Sequence, residues 1–256
     1  GGWVDRYENR GKRSGAFSAG SYTGYPYILM NYKEDVLRDL FTLAHEGGHS
    51  MHSYYSVRNN PFQHYSYTIF EAEVASTFNE QLLGTCLFEQ TEGPSMKAYI
   101  NGKQLDDIAA TMYRQTMFAE FEQLIHAAYE SGTPLTTEML RSTYRNVMED
   151  YLGDGVALEP VSDLEGLRIP HFYRAFYVYK YATGLSAALA LSSRVLSGGN
   201  EERQQYLRFL SSGGSHYPLD SLRQAGVDMS SPEPVREALR TFSDLLDRME
   251  LLLGSL

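Results

Sequence analysis

The chain has 256 residues, 43% of them hydrophobic, which is enough apolar side chain to bury a sizeable core and excludes wholesale disorder. Its 22 basic and 32 acidic residues leave a formal charge of −10, which argues against sequence-independent binding to nucleic-acid phosphates. A lone cysteine, Cys86, excludes an intrachain disulfide framework and fits a reducing compartment, and no run approaches the ~18 to 20 apolar residues of a membrane span.

The start, Gly1-Gly2-Trp3, carries neither an initiator Met nor a secretion leader, and reads as that of a fragment whose natural N-terminus lies upstream. Gly11, Gly15, Gly20 and Gly24 then punctuate aromatic and β-branched residues as far as Tyr32, a pattern that predicts a hairpin or small sheet. Beyond it, apolar spacings of three and four (Val36, Leu37, Leu40, Phe41, Ala44) predict a helix from Asp35 to about Ser56, broken by Asn59-Asn60-Pro61. Further helices are expected over Tyr67 to Glu89 and Ser95 to Glu130, and from a Thr136 or Thr137 cap to near Gly153. Leu158 to Pro170 reads as a loop, and Phe172 to Leu196 as a helix closed by Gly198-Gly199. Shorter helices follow over Glu201 to Leu210, Leu219 to Ala225 and Pro234 to Leu252. With no repeat and no marked linker, the expectation is one mainly α domain over residues 1–256, with a small N-terminal β element.

His45-Glu46-Gly47-Gly48-His49 falls inside the first helix. Residues four apart differ by only ~40° in azimuth, so both imidazoles project from one face, one turn apart, and are able to share a metal. Glu46 sits beside that face, within reach of a water at the metal, as a general base would be. Each helix-interior glycine costs ~1 kcal/mol relative to alanine, so Gly47 and Gly48 suggest a close approach to the backbone. A catalytic zinc usually takes a third protein ligand. His52 lies three beyond His49, a packing or supporting residue as much as a ligand, and His64 falls in the break. Carboxylates are better placed. Glu71 and Glu73 stand on the next helix ~200° apart, so only one of them faces the first helix, and Glu80, seven beyond Glu73, shares its face.

Four segments, in order, resemble the thimet oligopeptidase and oligoendopeptidase F family of zinc metallopeptidases, and the oligoendopeptidase F branch most. They are Gly11 to Ser18, Phe41 to Ser53 around the histidine pair, Ile69 to Phe78, and Ile169 to Tyr173 continuing through Phe176 to Gly184. The resemblance implies a zincin-like helical catalytic domain with Zn²⁺ held by His45, His49 and Glu73, the last matched by Ala72-Glu73-Val74-Ala75-Ser76. It implies Glu46 as the base, and His171, Tyr177 and Tyr181 as donors to the tetrahedral intermediate, with Tyr173 and Tyr179 as near alternatives. Tyr177 and Tyr181, four apart, would share one helix face.

The resemblance further implies a cytoplasmic endopeptidase that cuts short oligopeptides, with no nucleic-acid or membrane partner. Family members are roughly twice this long, so the chain reads as the C-terminal catalytic half, its other channel wall supplied by the missing N-terminal half. A zinc- and peptide-binding fragment without turnover is the alternative. The early hairpin would offer a strand edge to substrate backbone.

Overall fold

The computed structural model describes residues 2–255. It is mainly α, with one small sheet, as the periodicity predicts. The sheet is formed by β1 (Val4–Asp5), β2 (Phe17–Ser21) and β3 (Gly24–Leu29), in the order β1-β3-β2. β2 and β3 are the expected antiparallel hairpin, Phe17 opposite Leu29 and Ser18 opposite Ile28, with an irregularity between Ala19 and Ser21. β1 adds in parallel to the other side of β3. One edge of β2 therefore carries no strand partner among the described residues.

The α-helices are α1 (Leu37–Asn59), α2 (Ile69–Gln90), α3 (Pro94–Ile108), α4 (Arg114–Glu130), α5 (Thr137–Leu152), α6 (Glu165–Arg168), α7 (Tyr179–Ser197), α8 (Asn200–Ser211), α9 (Pro218–Gln224) and α10 (Glu233–Leu253). The expected helix over 95–130 is interrupted by a π-helical turn, Ala109–Tyr113, which inserts a wider turn without breaking the run. Thr136 caps α5, its side chain accepting from Met139 N–H. Within the expected loop 158–170 lie a 3₁₀ turn, Ser162–Leu164, and α6.

The helix predicted from Phe172 needs correction. Pro170–Tyr173 is a 3₁₀ turn and α7 begins only at Tyr179. Phe176, at φ 55°, is the one non-glycine residue with positive φ among the described residues. A left-handed residue ends right-handed helical winding, so Tyr177 lies ahead of α7 rather than on one of its faces.

The chain divides into two compact units, one formed by the residues up to Leu105 together with those from Thr183 on, the other by Asp106–Ala182. The first unit's core joins Val74, Ala75 and Phe78 of α2 to Ala187, Ala188 and Leu191 of α7, and to Tyr206, Phe209 and Leu210 of α8. The second has its own core of Met117, Phe118, Phe121, Tyr144, Val147, Met148 and Val178.

α1 and α2 approach each other so closely that a Cβ on Gly48 would lie 2.4 Å from the Ala75 carbonyl oxygen and 2.5 Å from Ser76 Cα. No side chain fits there. The glycine is what lets the two backbones touch, and that contact sets the distance between side chains projecting from each helix.

Candidate metal centre

Where α1 crosses α2, His45 and His49 project from one helix and Glu73 from the other. Glu73 Oε2 lies 3.6 Å from His45 Nε2 and 4.0 Å from His49 Nε2. The three donor atoms fall within 4.8 Å of one another, the one such group of three among the described residues. In a tetrahedral site with bonds of about 2.0 to 2.2 Å, donors stand about 3.3 to 3.6 Å apart, so a small contraction would bring these atoms onto one ion. Two imidazoles and one carboxylate form the donor set of a catalytic zinc with an open fourth position. These residues fit the metal.

Their surroundings prepare the two imidazoles differently. Glu80 Oε1 lies 2.6 Å from His45 Nδ1. A carboxylate accepts, so Nδ1 carries a proton, which leaves Nε2 as the atom that would give its lone pair to a metal, the usual arrangement behind a metal-bound histidine. Glu80 is itself 3.8 Å from Lys103 Nζ. Burial opposes the charged form of His45, but the hydrogen bond and charge of Glu80, with Glu73 and Glu46, outweigh it and raise its pKa. His49 is pushed the other way, to about 4, by burial and then by His45. It stands neutral at physiological pH, ready to donate a lone pair.

Glu46, on the adjoining face of α1, is 6% exposed. Burial raises its pKa, against the charge of His45 and a hydrogen bond from the Ser18 backbone. Its Oε2 is buried without a hydrogen-bond partner in the protein. The strand β2, which supplies Ser18 N–H, is also tied to α1 through a 2.8 Å contact between Ser18 Oγ and Ser50 Oγ. A basic oxygen thus stands idle beside three metal donors, next to a strand.

The other candidates separate cleanly. Glu71 is fully buried and turns back on its own helix, where its Oε2 accepts from Thr68 N–H and Oγ1–H in a capping box. His52 is buried and lies flat on Tyr67, ring centroids 3.6 Å apart, as a packing residue. His64 contributes its backbone carbonyl to Gly214 N–H. Spacing makes Glu80 a co-facial alternative to Glu73. The structure sets it behind His45, and the seven-residue spacing was the available signal.

In the second unit, His171, Tyr177 and Tyr181 form one cluster. Tyr177 stacks on His171 with centroids 5.4 Å apart, and Tyr181 Oη lies 3.5 Å from His171 Nε2. The rings of Tyr177 and Tyr181 are 5.7 Å apart although they share no helix. Tyr173 is 85% exposed, and Tyr179 opens α7.

Residues 1–241 match the model for Peptidase family M3. The chain is 50% identical over 248 residues to an oligoendopeptidase F homolog of Borreliella burgdorferi, covering 97% of this chain and 42% of that protein. It is 51% identical over 251 residues to oligopeptidase PepF of Bacillus subtilis, covering 98% of this chain and 37% of that protein. The crystal structure of oligoendopeptidase-F from Enterococcus faecium superposes with a TM-score of 0.77 at 40% identity, over 86% of this chain and 40% of that one. The chain thus spans about two fifths of the length of the curated relatives it matches. With a family match that runs through both units, and a histidine pair and glutamate gathered at one helix crossing, this chain belongs to peptidase family M3.

Proposed function

We propose that this chain is the catalytic part of a zinc-dependent endopeptidase that hydrolyses internal bonds of short oligopeptides in the cytoplasm. The observation that carries the reading is the convergence of His45, His49 and Glu73 beside the idle, buried Oε2 of Glu46. Zn²⁺ bound by the three would polarise a scissile carbonyl and acidify a water. Glu46, its affinity for protons raised by burial, takes the proton of the attacking water and delivers it to the leaving amine. His171, Tyr177 and Tyr181 donate hydrogen bonds to the developing oxyanion, a role carried by the family resemblance and favoured by their clustering. The unpaired edge of β2 receives substrate backbone, a mode that tolerates many side chains. Short peptides, rather than nucleic acid or membrane, are the partners, and an N-terminal half completes the substrate channel.

The decisive experiment measures metal content and cleavage of an internally quenched short peptide together. One zinc per chain with chelator-sensitive cleavage inside the peptide is expected, and stoichiometric zinc without cleavage by the full-length polypeptide would refute the catalytic reading. A second reading is favoured by one observation, the coverage of only 42% of the Borreliella protein. On its own, this chain would then be a zinc- and peptide-binding fragment without turnover.

A further inference from the structure

Tyr177 depends for its place on a residue held in an unfavourable backbone conformation. Phe176 sits at φ 55° with its ring half-exposed, where an aromatic side chain gains little burial to offset a left-handed backbone. Such a residue is strained and persists only where its surroundings over-determine it. The surroundings here are two residues one turn apart on α4. Glu122 Oε1 accepts from Phe176 N–H at 2.7 Å, and the His126 ring packs against the Phe176 ring at 4.6 Å. Glu122 is only 2% exposed. A buried carboxylate is costly unless hydrogen-bonded, and this one is spent on a single loop amide. The next residue, Tyr177, stacks at 3° to the plane of His171.

We propose that Glu122 is a positioning residue that clamps Phe176 in its left-handed conformation and so fixes Tyr177 against His171. The proposal rests on the reading that this cluster takes part in hydrolysis. Without the clamp, Phe176 relaxes to negative φ and the Tyr177 ring leaves its stack. A misplacement of only about 1 Å at a group that orients the reacting atoms costs on the order of 10²-fold in rate. The substitution Glu122→Gln keeps an acceptor oxygen, and Glu122→Ala removes it.

The test uses the full-length polypeptide and two measurements, hydrogen exchange at the Phe176 amide and steady-state kinetics on a quenched peptide. In Glu122→Ala the amide is expected to lose protection and kcat to fall about 10- to 100-fold. KM and zinc content should hold, and Glu122→Gln should restore both protection and kcat. If Glu122→Ala does not fold, Phe176→Pro removes the same N–H and forbids positive φ from the exposed side of the contact, and a similar fall in kcat is expected. A freed amide with unchanged kcat, or a Gln variant as impaired as the Ala variant, overturns the proposal. Tyr177→Phe keeps the two failures apart. If it too leaves kcat unchanged, the catalytic reading of the cluster has failed, and loss of amide protection still reports on the clamp.

Discussion

At the scale of single residues, Glu46 and Glu73 differ in what each can lose. Glu46→Gln keeps the shape and removes the basicity, so zinc should remain bound while kcat falls by ~10² to 10⁴. Wild-type turnover in this variant would remove Glu46 from the mechanism. Glu73→Ala deletes a donor and should abolish stoichiometric zinc at low free metal. Glu71→Ala instead should keep the metal and lower stability by ~0.5–2 kcal/mol, because its carboxylate caps α2, as thermal melts of the metal-loaded variants would distinguish. A pH effect follows from the histidines. In the folded, metal-free chain His49 is held near 4 and His52 near 3, chiefly by burial, against about 6.5 when unfolded. Between those values the unfolded chain binds more protons, so the contribution of these two histidines is full above about pH 6.5 and drains away as the pH falls toward 3, while His45, its pKa raised, contributes in the opposite sense. Urea midpoints of metal-free protein across that range check this, and His52→Phe, which keeps a ring on Tyr67, should flatten the decline. The histidine pair was legible from spacing alone. The choice of Glu73 over Glu71 needed the family resemblance, since azimuth allows either. Glu122 carried no signal, because a lone carboxylate on a helix announces nothing about a loop fifty-odd residues on.

At the scale of elements, the two adjacent glycines of α1 answer to different demands. Gly48→Ala would push a methyl into the α2 backbone, and the overpacking should cost ~1–3 kcal/mol or more and move Glu73 away from His45 and His49. Beside Gly47 the nearest atom is Asn79 Nδ2 at 3.9 Å, so a methyl is accommodated and Gly47→Ala should gain ~0.5–1 kcal/mol of helix stability. Paired denaturant melts and zinc titrations of the two variants test this contrast, and equal destabilisation by both would refute it. Most helices were legible because apolar residues at three and four persist along them. The N-terminal end of α7 was not, since Phe172, Tyr173, Phe176 and Tyr177 mimic a helical stripe. The hydrogen bond that turns Phe176 left-handed comes from a helix remote in sequence. The π turn of 109–113 shifts the periodicity by a single residue, too little to tell from an unbroken helix.

At the scale of the whole molecule, about two fifths of the relatives' length includes a complete set of candidate metal donors. Holding a substrate in a reactive pose supplies ~7–11 kcal/mol of barrier lowering, work that the proposed channel with an upstream wall would do. The isolated chain should therefore bind zinc yet cleave a short peptide far more slowly than the longer polypeptide, which in turn should leave a folded protein intact. Equal peptide cleavage by dilute, monomeric isolated chain would count against the missing wall.

The division of the first unit into two stretches of chain, ending at Leu105 and resuming at Thr183, sets an order of events at the ribosome. Val74, Ala75 and Phe78 must wait for Ala187, Leu191 and Phe209 before their core closes. At about 5–20 residues per second, the intervening segment takes on the order of ten seconds to synthesise. Through that interval Val74, Ala75 and Phe78 of α2 lack their partners from α7 and α8, whereas the second unit has all of its own sequence by the interval's end. The helix that bears Glu73 thus completes its packing only after the whole of the second unit has been synthesised.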